Sequence, residues 1–87
     1  ICLSPKKQNP PQEKIFKKAN ELKVIISQKS DLIWAEENAV KVDTSCKLFL
    51  QPEWSVYESI IPEIVEYVKL NQKWQVSLQA HKFMHIP

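Results

Sequence analysis

The segment Leu22-Lys-Val-Ile-Ile-Ser27 decides the fold that we expect for this chain of 87 residues. It is largely apolar and β-branched, which is typical of a strand covered on both faces in a parallel sheet. Two further apolar segments follow it, at Cys46–Leu50 and Trp74–Gln79, and a short one precedes it at Ile1–Leu3. The sequence therefore predicts four strands.

Segments with helical spacing separate these strands. Pro10-Pro11 opens the first helix, because proline is tolerated in a first turn, and Ser30 or Asp31 caps the second. The third begins near Ser59 and runs to about Leu70. The predicted apolar stripes are Ile15, Phe16, Ala19 and Leu22 in the first helix, Leu32, Ala35, Ala39 and Val42 in the second, and Ile60, Ile61, Ile64, Val65 and Val68 in the third.

The ends of the third helix need particular residues. Ser55 and Glu58 have the spacing of a capping box, but Pro62 would then lie inside the helix, so we expect a loose first turn. The chain has no glycine, and Asn71 is the predicted left-handed residue at the helix end. The order β-α-β-α-β-α-β implies a parallel α/β sheet. It fits half of a barrel or part of a doubly wound sheet.

Composition narrows the classes of function. The chain is 44% hydrophobic and 25% charged, and its net charge of +2 is too small to indicate a nucleic-acid partner. No apolar run approaches the roughly 18 residues that span a membrane. Cys2 and Cys46 lie in apolar surroundings without partner spacing, which predicts reduced core thiols and a cytoplasmic protein. The three tryptophans are predicted core or lid residues: Trp34, Trp54 and Trp74.

Polar residues follow each predicted strand, at the carboxyl ends where parallel α/β folds bind ligands. They are Ser4-Pro5-Lys6, Ser27, Gln51-Pro52-Glu53, Gln79 and His81. In the last strand Trp74, Val76, Leu78 and Ala80 alternate with Gln75, Ser77, Gln79 and His81. The strand therefore has one apolar and one polar face. The polar face fits a half-exposed strand at the edge of the sheet or the wall of a binding pocket.

Four motifs resemble the C-terminal part of the 7-carboxy-7-deazaguanine synthases, radical S-adenosylmethionine enzymes of queuosine biosynthesis. They are Cys2-Leu-Ser-Pro-Lys-Lys7, Lys29-Ser-Asp-Leu-Ile-Trp-Ala-Glu-Glu-Asn38, Leu48-Phe-Leu-Gln-Pro-Glu-Trp-Ser55 and Ser77-Leu-Gln-Ala-His-Lys82. The resemblance covers nearly the whole chain. It implies that residues 1–87 are the C-terminal half of one partial, open β/α barrel, and that Pro87 is the natural C-terminus.

The resemblance also implies a reaction. Such enzymes convert 6-carboxy-5,6,7,8-tetrahydropterin to 7-carboxy-7-deazaguanine with release of ammonia, using S-adenosylmethionine, a [4Fe-4S] cluster and Mg²⁺. We also expect a homo-oligomer, as a homodimer, because half a barrel exposes its inner face and sheet edges. The implied S-adenosylmethionine contacts are Ser4, Pro5, Lys6, Gln51, Pro52 and Glu53. On the substrate side are His81, the terminal carboxylate of Pro87 and Gln79, which shares the polar row with His81.

The resemblance assigns no catalytic residue and no metal ligand to this chain. Two cysteines cannot hold a [4Fe-4S] cluster, so we expect the chain alone to be inactive and to be a piece of a longer enzyme. Two other hypotheses remain: a non-catalytic α/β binding or oligomerisation module that pairs through its sheet edges, and half of a nucleotide-binding domain. The absence of glycine disfavours the last, because phosphate-binding loops need it.

Overall fold

The computed structural model describes residues 2–7 and 13–77. Its elements are β1 (Cys2–Leu3), α1 (Glu13–Lys18), β2 (Glu21–Ile26), α2 (Asp31–Ala39), β3 (Lys47–Pro52), a 3₁₀ turn (Trp54–Val56), α3 (Tyr57–Leu70) and β4 (Trp74–Val76). The strands form one parallel sheet in the order β1-β2-β3-β4. The predicted parallel βαβαβαβ fold is confirmed.

The strand order bears on the choice between half of a barrel and part of a doubly wound sheet. A doubly wound sheet reverses its strand order at a switch point, and no reversal occurs among the four described strands. Each strand lies beside the one that precedes it, as in a β/α barrel. The sheet is therefore consistent with half of a barrel.

The hydrophobic core lies between the helices and one face of the sheet. Helix α2 packs on β2, and α3 packs on β3 and β4. Alternate strand residues face these helices, because successive side chains point to opposite sides of a strand. The fully buried members are Leu22, Val24, Ile26, Leu50 and, at 1% exposure, Trp74. Burying each of these side chains contributes roughly 1.5–3 kcal/mol.

The opposite face of the sheet carries the intervening residues. It includes Lys23, Ile25, Phe49, Gln51 and Gln75, which are paired in register across the strands. Ile25 is 41% exposed there. We call this surface the open face.

Several helix details differ from the sequence prediction. Helix α3 begins at Tyr57, two residues before Ser59, and contains Pro62. The capping-box spacing of Ser55 and Glu58 does not start α3, which has no side-chain cap at its first residue. Glu53 caps the preceding 3₁₀ turn instead, accepting a bond of 3.1 Å from the Ser55 N–H. That turn is the expected loose start of the helix.

Helix α3 also ends without a left-handed residue. Asn71 has φ −133°, and its backbone N–H donates to the carbonyls of Tyr67 and Val68, at 2.9 and 3.2 Å. Its side-chain amide donates to the Tyr67 carbonyl at 3.1 Å. The predicted αL stop is therefore wrong, since the amide of Asn71 satisfies an end carbonyl directly. No residue in the described ranges has positive φ.

Some predicted core positions are also wrong. Ile15 and Val65 are exposed by 37% and 39%, because each lies at the margin of its helix's apolar stripe. Leu22 belongs to β2 and not to the first helix. Cys46 is a buried free thiol as predicted, but Cys2 is exposed, because it alternates with Leu3 and falls on the open face.

Candidate functional site

The carboxyl ends of β1, β2 and β3 lie side by side at one edge of the sheet. Ile25 pairs with Gln51 and Ile26 with Pro52, and the Glu53 N–H donates to the Ile26 carbonyl at 2.9 Å. β1 pairs with the other side of β2. The predicted groups Ser4–Lys6 and Gln51–Glu53 therefore flank β2 on its two sides, about 10 Å apart at two strand spacings.

The residues that follow β1 differ in burial. Pro5 is buried, whereas Ser4 and Lys6 are exposed. Lys6 lines an open cleft of about 250 Å³. Eight residues line that cleft: Pro5, Lys6, Lys7, Ile25, Ser27, Gln28, Asp31 and Trp34.

Gln51 is the most unusual polar residue at this edge. It is only 5% exposed, and its side chain belongs to the open face beside Ile25. Among the described residues its Oε1 is a buried acceptor with no hydrogen-bond partner. A buried acceptor without a donor costs about 1–3 kcal/mol. The capacity of this oxygen to accept an N–H or O–H bond is therefore unused among the described residues.

Asp31 organises the cleft, although the sequence predicted it only as a helix cap. It is 4% exposed. Its Oδ2 accepts from the Ser27 N–H at 2.9 Å, the Ser27 hydroxyl at 3.0 Å and the Gln28 N–H at 3.3 Å, while Oδ1 pairs with Lys7. Burial alone would raise the pKa of Asp31. The bonds from Lys7 and Ser27 outweigh burial and hold that pKa below its usual value.

Lys7 and Trp34 complete the cleft wall. The Lys7 ammonium lies 5.4 Å from the centroid of the Trp34 ring, within the range of a cation–π contact. The sequence predicts Trp34 to be a core or lid residue, and the structure places it half-buried at this edge. Lys7 directly follows the predicted Ser4–Lys6, but its partner Asp31 lies 24 residues away, a distance at which local patterns carry no signal.

The remaining predicted residues have separate positions. Gln79, His81 and Pro87 lie outside the described residues. The last strand ends at Val76 within them, and the Ser77 N–H continues the ladder with a bond of 2.9 Å to the Leu50 carbonyl. Trp74 is buried and Gln75 exposed, as the alternation predicts.

A second carboxylate, Glu36, joins three elements on the helix side of the sheet. It accepts from Lys73 at 2.6 Å, from the Trp74 indole at 2.8 Å and from the Tyr67 hydroxyl. Burial would raise the pKa of Glu36, but these bonds and the charge of Lys73 hold it below its usual value. Burial and the bond to Glu36 raise the pKa of Tyr67 to about 12. The Glu36 cluster is structural and lies apart from the cleft.

Two classes of site receive no support within residues 2–7 and 13–77. No group of three His, Cys, Asp or Glu side chains there is placed to hold a metal ion. No helix of that part combines the length and apolar character needed to cross a membrane.

Comparison with known proteins bears on the resemblance. The chain is 55% identical over 87 residues to a 7-carboxy-7-deazaguanine synthase from Flavobacterium psychrophilum. It is 44% identical over 86 residues to one from Synechocystis sp. and 35% identical over 102 residues to one from Prochlorococcus marinus. The chain resembles these synthases over its whole length.

The coverage of the synthases themselves is smaller. The matches include 99–100% of this chain but 41%, 41% and 45% of the three relatives. The chain thus spans about two fifths of the length of the curated synthases it matches. This is consistent with the prediction that it is the C-terminal part of such an enzyme. No family model matches the chain, and no solved structure matches it significantly.

Proposed function

We propose that this chain is the C-terminal part of a 7-carboxy-7-deazaguanine synthase of queuosine biosynthesis and forms the S-adenosylmethionine side of its active site. The observation that carries the proposal is the 55% identity to such a synthase across all 87 residues. The parallel half-barrel and its polar strand ends support it, since barrel enzymes bind ligands at that edge.

The proposed enzyme is a radical S-adenosylmethionine lyase. It converts 6-carboxy-5,6,7,8-tetrahydropterin to 7-carboxy-7-deazaguanine and releases ammonia. When bound, S-adenosylmethionine and a [4Fe-4S] cluster supply the hydrogen abstraction that starts this rearrangement, and Mg²⁺ assists it. The protein's own task is to hold and orient the reactants.

The residues of the cleft edge fit S-adenosylmethionine. The ligand offers amino N–H donors, ribose hydroxyls and a carboxylate. Gln51 Oε1 is a buried acceptor that needs a donor, and the exposed Lys6 ammonium can donate to a carboxylate or hydroxyl. Ile25 is the register partner of Gln51 in the sheet and lines the same cleft as Lys6. Ser4, Pro5, Pro52 and Glu53 complete the proposed contacts.

The residues described here do not fit the cluster or the magnesium ion. Cys2 is exposed on the open face, and Cys46 is buried in the core, where burial and then the nearby Asp43 raise the pKa of its thiol. A cluster needs thiolates grouped at one site. We therefore assign both groups to the part of the enzyme beyond this chain, and we expect no turnover from the chain alone.

The substrate side of the site is assigned to Gln79, His81 and the terminal carboxylate of Pro87. The pterin ring is rich in N–H donors, and a carboxylate accepts two of them at once. Adding one residue after Pro87 in the full-length enzyme should lower turnover more than changing Lys82 does. Unchanged turnover in the extended enzyme would remove the carboxylate role. A cytoplasmic homodimer completes the proposal.

The direct test uses the full-length protein with its cluster reconstituted under anaerobic conditions. Incubated with S-adenosylmethionine, a reductant and 6-carboxytetrahydropterin, it should form 7-carboxy-7-deazaguanine and ammonia. Lys6→Ala and Gln51→Ala should raise the KM for S-adenosylmethionine. Gln72→Ala, an exposed amide in the turn after α3, is the matched control. Absence of product, with a fully loaded cluster, would contradict the proposed function.

A further inference from the structure

Within residues 2–7 and 13–77, Asp31 is the carboxylate whose hydrogen bonds reach both walls of the cleft. One oxygen binds Lys7, in the segment that follows β1. The other accepts from the backbone of Ser27 and Gln28, in the loop that follows β2. These two segments follow different strands, and Asp31 binds both of them. Asp31 therefore helps to set their spacing.

The environment of Asp31 makes this connection rigid. The carboxylate is 5% exposed, whereas its partner Lys7 is 47% exposed. Charge-assisted bonds to a buried carboxylate are shorter and stronger than neutral ones. The Ser27 hydroxyl adds a third donor to the same oxygen as the two backbone N–H groups. Few rotamers of Asp31 satisfy four donors together, so the side chain has a fixed position.

The connection also positions cleft residues that do not touch Asp31. Lys6 adjoins Lys7, and Ile25 lies two residues before Ser27. Both line the same cleft. The bound ammonium of Lys7 lies beside Trp34, one helical turn after Asp31. Movement of Lys7 would therefore shift Lys6 and uncover the Trp34 ring.

We infer that Asp31 is a positioning residue for S-adenosylmethionine: it fixes the two cleft walls between which the cofactor binds, without itself contacting the cofactor. This inference rests on the proposed function. Asp31 acts through Lys7, Ser27 and Gln28, so its removal should weaken binding while leaving the reacting groups in place. The expected signature is a change in cofactor affinity with little change in kcat.

The test compares Asp31→Asn with Glu36→Gln in the full-length, cluster-reconstituted enzyme. Both substitutions remove one carboxylate charge from helix α2, and both carboxylates bind a lysine and other donors. Only Asp31 borders the cleft. Calorimetric titration with S-adenosylmethionine should give a Kd about tenfold weaker for Asp31→Asn, as expected for loss of a charged bond. Glu36→Gln should lower thermal stability and leave Kd unchanged.

A second variant covers the case in which Asp31→Asn does not fold. Lys7→Met removes the same ion pair from a half-exposed position and should also weaken the Kd severalfold. The double variant should bind no more weakly than Asp31→Asn, because both changes break one connection. At saturating cofactor, kcat should stay within a few-fold of the parent value for each variant.

The outcomes separate the inference from the proposed function. If the parent enzyme binds S-adenosylmethionine and either Asp31→Asn or Lys7→Met binds it equally well, the positioning role is overturned and the function stands. If Glu36→Gln weakens binding as much as Asp31→Asn, the effect is general destabilisation and the inference also fails. If the parent enzyme itself does not bind the cofactor, the proposed function fails and the inference fails with it.

Discussion

The indole N–H of Trp74 donates a hydrogen bond of 2.8 Å to Oε2 of Glu36, although the two residues are 38 apart in the chain. The same carboxylate accepts from Tyr67 and Lys73. One side chain of α2 is thus bonded to α3, to the following turn and to β4. The roles of this cluster and of the cleft can be tested by substitution in the full-length protein.

Replacing Glu36 by Gln should destabilise the fold. The amide keeps one acceptor oxygen, but its NH₂ group faces donors, and Lys73 loses its counter-charge. We expect the free energy of unfolding in urea to fall by about 1–3 kcal/mol. Glu37→Gln is the matched control, because Glu37 is exposed on the same helix, and it should change stability by less than about 0.5 kcal/mol. Equal effects of the two variants would contradict the role of the Glu36 cluster.

Tyr67 should titrate at an unusually alkaline pH. Burial and its bond to Glu36 raise its pKa to about 12. In a pH titration, the difference in tyrosinate absorbance between the parent protein and Tyr67→Phe reports Tyr67 alone. Its midpoint should therefore lie near this pH. Glu36→Gln should move the midpoint down, because the acceptor charge is lost. If Glu36→Gln leaves the midpoint unchanged, the raised pKa of Tyr67 is due to burial alone.

Stability should fall in acid. Asp31 and Glu36 have folded-state pKa values below their ordinary values of 3.8 and 4.5. The unfolded chain therefore binds more protons than the folded one at these pH values, and the stability rises with pH. The contribution is present above the unfolded pKa values and is lost as the pH falls through the folded ones. We expect the urea midpoint to decrease between about pH 5 and pH 2, with a smaller decrease in Glu36→Gln.

Gln51→Met should separate stability from binding. Methionine has a similar shape and leaves no buried acceptor without a donor, so the ligand-free protein should gain about 1 kcal/mol of unfolding free energy. The same variant should bind S-adenosylmethionine more weakly, because Gln51 Oε1 is the proposed acceptor. Stability of the ligand-free protein should thus increase while affinity for S-adenosylmethionine decreases. A purely structural role for Gln51 would not produce this combination. Thermal melting with and without the cofactor measures both.

The order of strands and helices could be predicted from the sequence because each apolar face repeats with its own period. The buried residues Val24 and Ile26 of β2, and Ile60 and Ile64 of α3, carry that signal directly. Sheet topology followed from the short alternating connections. Neither conclusion needed a contact between distant residues.

The helix ends and the cleft wall were harder to predict. Glu53 caps the turn before α3 from outside the Ser55–Glu58 motif, and Asn71 ends α3 through its side-chain amide. Both depend on rotamers that spacing does not specify. The partners of Asp31 and Glu36 include residues 24 to 38 positions away. Only the folded chain brings such pairs together, so sequence patterns identified the strand ends but not the residues that hold them.

The separation of a helix-covered face from an open face has a consequence for how this sequence tolerates change. Along β2, Leu22, Val24 and Ile26 serve the core, while Lys23 and Ile25 serve the open face. In β3, Leu50 and Gln51 make the same division between neighbours. A saturation mutagenesis scan of these strands should therefore give phenotypes that alternate with every residue. Loss of soluble protein would mark one set of positions, and loss of turnover in a well-expressed protein would mark the other.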